Sequence, residues 1–560
     1  MKSRVLQTVV ILSLFFIFPD RCYPNPHADK PGLVVLLVVD QMRADHLTRF
    51  ADLYKYGFAR LLEEGAVFTN AYHDHAYTVT APGHATIATG AFPSHHGIVA
   101  NDWFDRRQQK KVYCCEDTAS GLLGYPGLPE DKGRSPGRML LPTFGDWLKA
   151  ASPESKVFGV ARKDRAAILS AGHSADGVYW YNPADGKMIT SQYYTGSYPQ
   201  WVQDFNQARL VDTYFQQGWA RMMPEELYRR AREDRNAFEN DGEKTSFPYM
   251  FTASSNRPDR NYYDALQTTP FADKLILEFA RGLVQNEGLG TGAATDVLFV
   301  GCSAADAIGH RFGPMSQESM DHFLRLDRYL GDFFAYLDAH LGRNRYLVVL
   351  SSDHGGLPIP EELARHGFAA QRVMGSDLRN LLSKAIDEVT KKLGLSRPLI
   401  KRMVGFGLFL NYEEAEELGV SENTINTMLA TRLQENRAIA AVYTRENLNH
   451  PRHDGDEFLE AYRHSYHPER SGDLVVRFKK YCLLRASRYG TSHGSPYDYD
   501  THVPLVFWGA PVRKSHTTQE VHTVDIAPTL AHILGVQPAN SIDGHNLGSL
   551  LFTSDASDRE

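Results

Sequence analysis

The sequence predicts an α/β fold in which a mostly parallel central sheet is covered by helices on both faces and interrupted by inserted segments. Three observations predict it: apolar runs without alternation, helical spacing between those runs, and polar residues of related chemistry just past their ends. The first run is Leu33–Val39, continuous and β-branched, ending at Asp40. Over 44–65, Leu47, Phe50, Leu53, Tyr54, Phe58 and Leu61 follow at helical spacing. Comparable runs recur at 156–161, 296–302 and 346–350, and a late one at 503–508. Between two of them Met320, Phe323, Leu324, Leu330, Phe334, Leu337 and Leu341 make one helical face. The stretch 525–535 reads as a final helix ended by Gly535. Strands that are apolar on both sides and separated by helices belong in a parallel sheet buried on both faces.

At 560 residues the chain has room for one large catalytic domain with insertions. We assign 29–365 and 471–552 to the core. Two stretches fit the alternation poorly and read as insertions or cap segments: 175–265, rich in Tyr, Trp, Asn and Arg, and 366–470, helical and charged. A net charge of -7 argues against a nucleic-acid partner held by a broad basic surface. Residues 1–28 read as an export signal, with Lys2 and Arg4 before the apolar run 9–18, which is too short to span a bilayer. The expected location is periplasmic or secreted. Cys114, Cys115, Cys302 and Cys482 show no paired metal-ligand spacing, and their disulfide pairing stays open.

Asp40, Lys163 with Arg165, Asp306 with His310, and Asp353 with His354 all lie just past predicted strand ends. In a parallel sheet such ends converge on one edge, where ligands of open α/β sheets bind. Asp306 and His310 stand four residues apart, on one side of a helical turn, and Asp353-His354 adds a second carboxylate–imidazole pair. Both suit zinc, which takes imidazole nitrogen and carboxylate oxygen. An isolated Asp-x-x-x-His is usually a solvated helix face, and only the shared strand-end placement favours metal here. Thr80 reads as the cap of a helix with Pro82 in its first turn, where the helix N-terminus stabilises negative charge. A metal could hold its hydroxyl as an alkoxide nucleophile. Thr78 competes for that role. Lys163 and Arg165, two apart, would point the same way in extended backbone and place two cations opposite a monoester dianion. Arg165 suits bidentate contact and Lys163 a point charge.

Jointly these segments resemble the alkaline phosphatase superfamily, in particular its phosphate-irrepressible, threonine-dependent alkaline phosphatases. The resemblance spans most of the chain. It rests on the strand ending in Asp40, Thr80-Ala81-Pro82-Gly83-His84, the segment 98–103 containing Asn101, Lys163-Asp164-Arg165, Asp306 with His310, 352–356, 490–495 and 499–504. The resemblance implies an alkaline-phosphatase-like fold and two Zn²⁺ ions. One would be held by Asp40, Thr80, Asp353 and His354, the other by Asp306, His310 and His493. His493 is a ligand that spacing alone does not find. Asn101, Lys163 and Arg165 would contact the transferring phosphoryl group, and hydrolysis of small phosphate monoesters would pass through phosphothreonine at Thr80. Three aspartates and a threonine alkoxide would neutralise the two ions. His73, His75, His84 and His502 are expected outside the metal site. The alternatives are a nucleotide pyrophosphatase or phosphodiesterase, disfavoured by Lys163 and Arg165, and an inactive metal-dependent anion binder. A sulfatase is disfavoured because its Cys-x-Pro-x-Arg segment is replaced by the one at Thr80.

Overall fold

The computed structural model describes residues 30–125, 133–215, 217–251, 256–450, 455–538 and 542–552. The expected export signal lies outside the described residues. Nine strands form the central sheet: β1 (Leu33–Val39), β2 (Ala66–Tyr72), β3 (Val157–Ala161), β4 (Gly177–Asn182), β5 (Lys187–Ile189), β6 (Asp296–Cys302), β7 (Tyr346–Ser351), β8 (His502–Gly509) and β9 (Ser515–His522). Their order is β9-β2-β8-β7-β1-β6-β3-β4-β5. All run in one direction except β8 and β5.

The central strand explains the missing alternation. Leu33, Val35, Leu37 and Val39 of β1 enter one apolar cluster, and Val34, Leu36 and Val38 enter another on the opposite face. The first face is covered by helices Pro270–Glu287 and Gln317–Leu341, the second by α1 (Thr80–Thr89), α2 (Asp164–Ala171) and Ile526–Leu534. β1 pairs in parallel with β6 and β7 over nearly its whole length, Leu33 opposite both Asp296 and Tyr346. The three strand ends therefore finish level. The last helix stops at Gly535, whose φ of 64° is the left-handed conformation glycine adopts without strain.

Two boundaries differ from the sequence reading. The stretch 175–265 begins with β4 and β5, the last two strands at one side of the central sheet, so its start is core. The aromatic residues behind them, Trp219, Tyr228 and Tyr262 among them, are buried against the helical face of the first cluster. The second unit has its own four-stranded sheet, in the order Ile400–Val404, Gly407–Leu410, Leu474–Phe478, Ile439–Thr444, with its own apolar cluster. Leu474–Phe478 lies past 470, so this unit reaches into the stretch assigned to the core. Local pattern cannot tell which of two sheets a short strand joins. Among the described residues no helix is long and apolar enough to cross a membrane.

Candidate active site and metal centre

The parallel edge gathers the expected groups. Asp40 follows β1, Lys163 and Arg165 follow β3, Asp306 follows β6, and Asp353 with His354 follows β7. His493 arrives differently, shortly before β8. Because β8 is antiparallel, its beginning lies at the edge where its neighbours end.

The donor atoms of Asp306, His310 and His493 lie within 4.8 Å of one another, as do those of Asp40, Asp306 and His354. Asp306 and His310 sit on α3 (Ala304–Phe312), one helical turn apart, with His310 Nε2 3.2 Å from Asp306 Oδ1. Each imidazole is fixed from behind. His310 Nδ1 donates to Thr491 O at 2.9 Å, His493 Nδ1 to Thr78 O at 2.8 Å, and His354 Nδ1 to Gly355 O at 2.9 Å. A carbonyl only accepts, so every Nδ1 carries the proton and every Nε2 presents a lone pair. His310 Nε2 and His493 Nε2 face each other at 3.2 Å, an arrangement that two neutral lone pairs do not favour and a cation between them would. Burial pushes the His354 pKa down to about 3, and burial with the neighbouring imidazoles of His354 and His310 pushes His493 well below its usual value. These two rings stay neutral, the form that ligates metal.

Asp353 Oδ2, His354 Nε2 and Asp40 Oδ1 are buried without a hydrogen-bond partner. Asp353 Oδ2 is 3.4 Å and Asp40 Oδ1 3.5 Å from His354 Nε2. Burial and the adjacent Asp353 raise the Asp40 pKa. Burial opposes ionisation of Asp306 too, but Lys163 and His310 outweigh it and hold its carboxyl well below the usual range. Orphaned buried oxygens and bare imidazole nitrogens, converging from four chain segments, fit divalent metal ions.

Thr80 is the first residue of α1 rather than its cap; Val79 takes the cap position. Its Oγ1 accepts from Lys163 Nζ at 3.1 Å. Thr78 is committed elsewhere, donating to Ser495 O at 2.9 Å. Asn101 Oδ1 accepts from Ala81 N–H at 2.9 Å, which sets its side chain beside the helix start. Lys163 and Arg165 do not share an extended segment. Lys163 caps α2, and Arg165 lies inside it. The Lys163 ammonium sits 2.5 Å from Asp40 Oδ2 and 2.7 Å from Asp306 Oδ2. The Arg165 guanidinium lies near Asp164 and donates to Tyr113 Oη at 3.5 Å, and its buried Nε makes no hydrogen bond. Both line one cavity with Asp306 and His310.

Sequence reasoning missed Gln41, which has no spacing signal. Its left-handed φ of 63° turns the chain so that its N–H donates to Asp353 Oδ1 at 3.1 Å and its Nε2 to Asp306 Oδ1 at 2.9 Å. Of the histidines left aside, His84 contacts Asp353 Oδ2 at 3.3 Å, His73 bonds Ser352 O at 2.9 Å and His502 bonds Thr69 O at 2.8 Å. His75 is buried. Among the described residues, Cys114, Cys115, Cys302 and Cys482 are free thiols.

Glycine at 83 is a requirement of this site. A β-carbon there would lie 2.1 Å from the Asp353 carbonyl oxygen, so α1 and the strand-end loop touch backbone to backbone. Gly83→Ala is expected to cost about 3 kcal/mol in urea unfolding, through overpacking against an unyielding backbone, and to lower kcat by shifting Thr80.

A family model described as type I phosphodiesterase / nucleotide pyrophosphatase matches residues 34–496. The chain belongs to this family. Within the alkaline phosphatase superfamily that contains it, the chain is similar to the "Calcium-transporting ATPase" of Myroides odoratus, 35% identical over 549 residues and covering 95% of this chain and 97% of that one. It is 34% identical to the alkaline phosphatase PhoV of Synechococcus elongatus, covering 92% of each. The crystal structure of the alkaline phosphatase PafA superimposes with a TM-score of 0.85 at 32% identity, covering 94% of this chain and 99% of that one. A further PafA structure carries a threonine changed to serine and an asparagine, a lysine and an arginine changed to alanine. Phosphodiesterase-family members of this superfamily use divalent metal, and the donor groups described above fit that use.

Proposed function

We propose that this protein hydrolyses phosphate monoesters with Thr80 as nucleophile, through a phosphothreonine intermediate. One observation carries the reading: the Thr80 hydroxyl, at a helix N-terminus, meets Lys163 amid the converging carboxylates and bare imidazoles of Asp40, Asp306, Asp353, His310, His354 and His493. The similarity to PhoV and PafA supports it, and the residue types altered in PafA match Thr80, Asn101, Lys163 and Arg165.

We assign two Zn²⁺ ions to these donors; when bound they supply Lewis-acid stabilisation of the attacking and leaving oxygens. Asp306, His310 and His493 would hold one. Asp40, Asp353, His354 and Thr80 would hold the other, with Asp306 close to both groups. Thr80 presents its oxygen in line with the ester from the positive end of α1. Asn101, whose Oδ1 is occupied by Ala81 N–H, directs its amide N–H groups to a non-bridging oxygen. Arg165 supplies the planar donor pair and Lys163 a point charge, together stabilising charge on the transferring group. Export to the periplasm or medium accords with the N-terminal segment.

The family description also names diesters and pyrophosphates. Lys163 beside Thr80 and Arg165 on the cavity it shares with Lys163 favour the dianion of a monoester over the monoanion of a diester. Comparing hydrolysis of an aryl phosphate with that of the matching diaryl phosphate decides between them, and a diester preference overturns the assignment. Arg165→Ala is expected to lower monoester kcat/KM about a hundredfold, the scale of a lost charge-assisted bidentate contact, and diester hydrolysis far less. Equal losses would refute the selectivity argument.

A further inference from the structure

The cavity that opens at Lys163, Arg165, Asp306 and His310 measures about 450 Å³, within the size range of ligand pockets and far larger than one phosphoryl group needs. Its remaining walls include Leu122, Trp180, Asn182, Arg162 and Gln267. This is where the leaving group of a monoester bound at Thr80 would project.

The charges on these walls are unequally satisfied. Arg134 and Tyr113 hold Asp164, both at 2.6 Å. Asp306 is shared among Lys163 at 2.7 Å, Gln41 at 2.9 Å and the two imidazoles. Arg162 bonds neutral acceptors through two of its nitrogens and reaches a carboxylate only at long range. Its Nε donates to Ser303 O at 3.2 Å and its Nη1 to Gln267 Oε1 at 2.8 Å, both neutral acceptors. Its Nη2 lies 3.9 Å from Asp306 Oδ2, beyond hydrogen-bond distance. The side chain is only 10% exposed. A buried guanidinium held rigidly by two neutral partners, with one edge unbonded on a cavity wall, is a preorganised oxyanion site.

We propose that Arg162 is a specificity residue that selects phosphate monoesters whose leaving group carries a second oxyanion, phosphate or carboxylate. This deepens the monoesterase reading and rests on it. Lys163 and Arg165 address the phosphoryl group that is transferred, whereas Arg162 addresses the alcohol that departs. Compounds of this class include sugar and polyol bisphosphates and phosphorylated hydroxy acids.

The test uses three substrates on one carbon skeleton: glycerol phosphate, phosphoglycerate and glycerol bisphosphate. With the metal-loaded protein, Arg162→Gln is expected to lower kcat/KM at least about tenfold for the two charged leaving groups, the loss of one charge-assisted hydrogen bond, and less than about threefold for glycerol phosphate. Arg162→Lys should recover part of the difference. Loss on the bisphosphate alone assigns phosphate as the recognised group, and loss on both assigns any oxyanion. An equal fall on all three substrates overturns the proposal, since it makes Arg162 a support for Asp306 only. Should Arg162→Gln misfold, Gln267→Leu releases Nη1 without touching Asp306 and is expected to shift the same ratio at least about threefold; an unchanged ratio there is equally fatal. Failure of the unmutated protein on all three substrates would instead sink the monoesterase reading.

Discussion

Thr80→Ala is expected to lower turnover of an aryl phosphate by on the order of a thousandfold or more, with metal and inorganic phosphate binding still measurable. The Thr80 Oγ1 accepts a single bond, from Lys163, and that ammonium keeps Asp40 and Asp306 as partners when the hydroxyl is gone. The fold and the anion-binding charges therefore survive; what is lost is the atom that bonds to phosphorus, which is also one of four proposed donors to one ion, the other three remaining. Thr80→Ser, which restores an oxygen, should recover much of the rate. Acid-quenched labelling with a radioactive monoester should mark Thr80 in the parent chain and vanish in the alanine variant. Unchanged turnover in Thr80→Ala would remove Thr80 from the mechanism, and Thr78 could not replace it while its hydroxyl is held by Ser495.

The second large effect is metal removal. Asp40, Asp306 and Asp353 are buried together with one ammonium, Lys163, among them, leaving two formal negative charges that metal cations would offset. Chelation is expected to abolish hydrolysis and to lower Tm. Ions present at about a thousandfold over their Kd contribute roughly 4 kcal/mol to the folded state by mass action. Zinc should restore both activity and Tm. Asp306→Asn should reproduce the loss permanently, because Asp306 lies in both donor groups; elemental analysis is expected to find less than the full metal complement. A chelated protein with unchanged activity and melting would overturn the metal assignment. Retention of all metal by Asp306→Asn would remove this residue from the ligand set.

Much of this was legible before any coordinates. The apolar run ending in Asp40 marks a strand with both faces covered because adjacent residues of β1 enter opposite clusters. Asp306 with His310 and Asp353 with His354 were legible because helical spacing and strand-end position are local properties. Lys163 and Arg165 were read as parallel on extended backbone, yet α2 starts between them and only the shared cavity brings them together. The helix start at Thr80 was read one residue late as a cap, a difference of a single turn boundary.

The sequence by itself determined the parallel sheet and the kinds of residue offered at its edge, since hydrophobic period and strand length are written locally. Tertiary structure alone decided which of them meet. His493 reaches the metal group because β8 runs against its neighbours, a direction no spacing encodes. Thr80 rather than Thr78 is the proposed nucleophile because Ser495, more than four hundred residues on, takes the Thr78 hydroxyl. Arg162 looks in sequence like any cation beside Lys163, and it becomes a candidate oxyanion site only where Ser303 and Gln267 fix two of its nitrogens and leave the third on a cavity wall. The physical reason is common to all three: a side chain's chemistry is set by which donors and acceptors occupy it, and those come from segments distant in the chain.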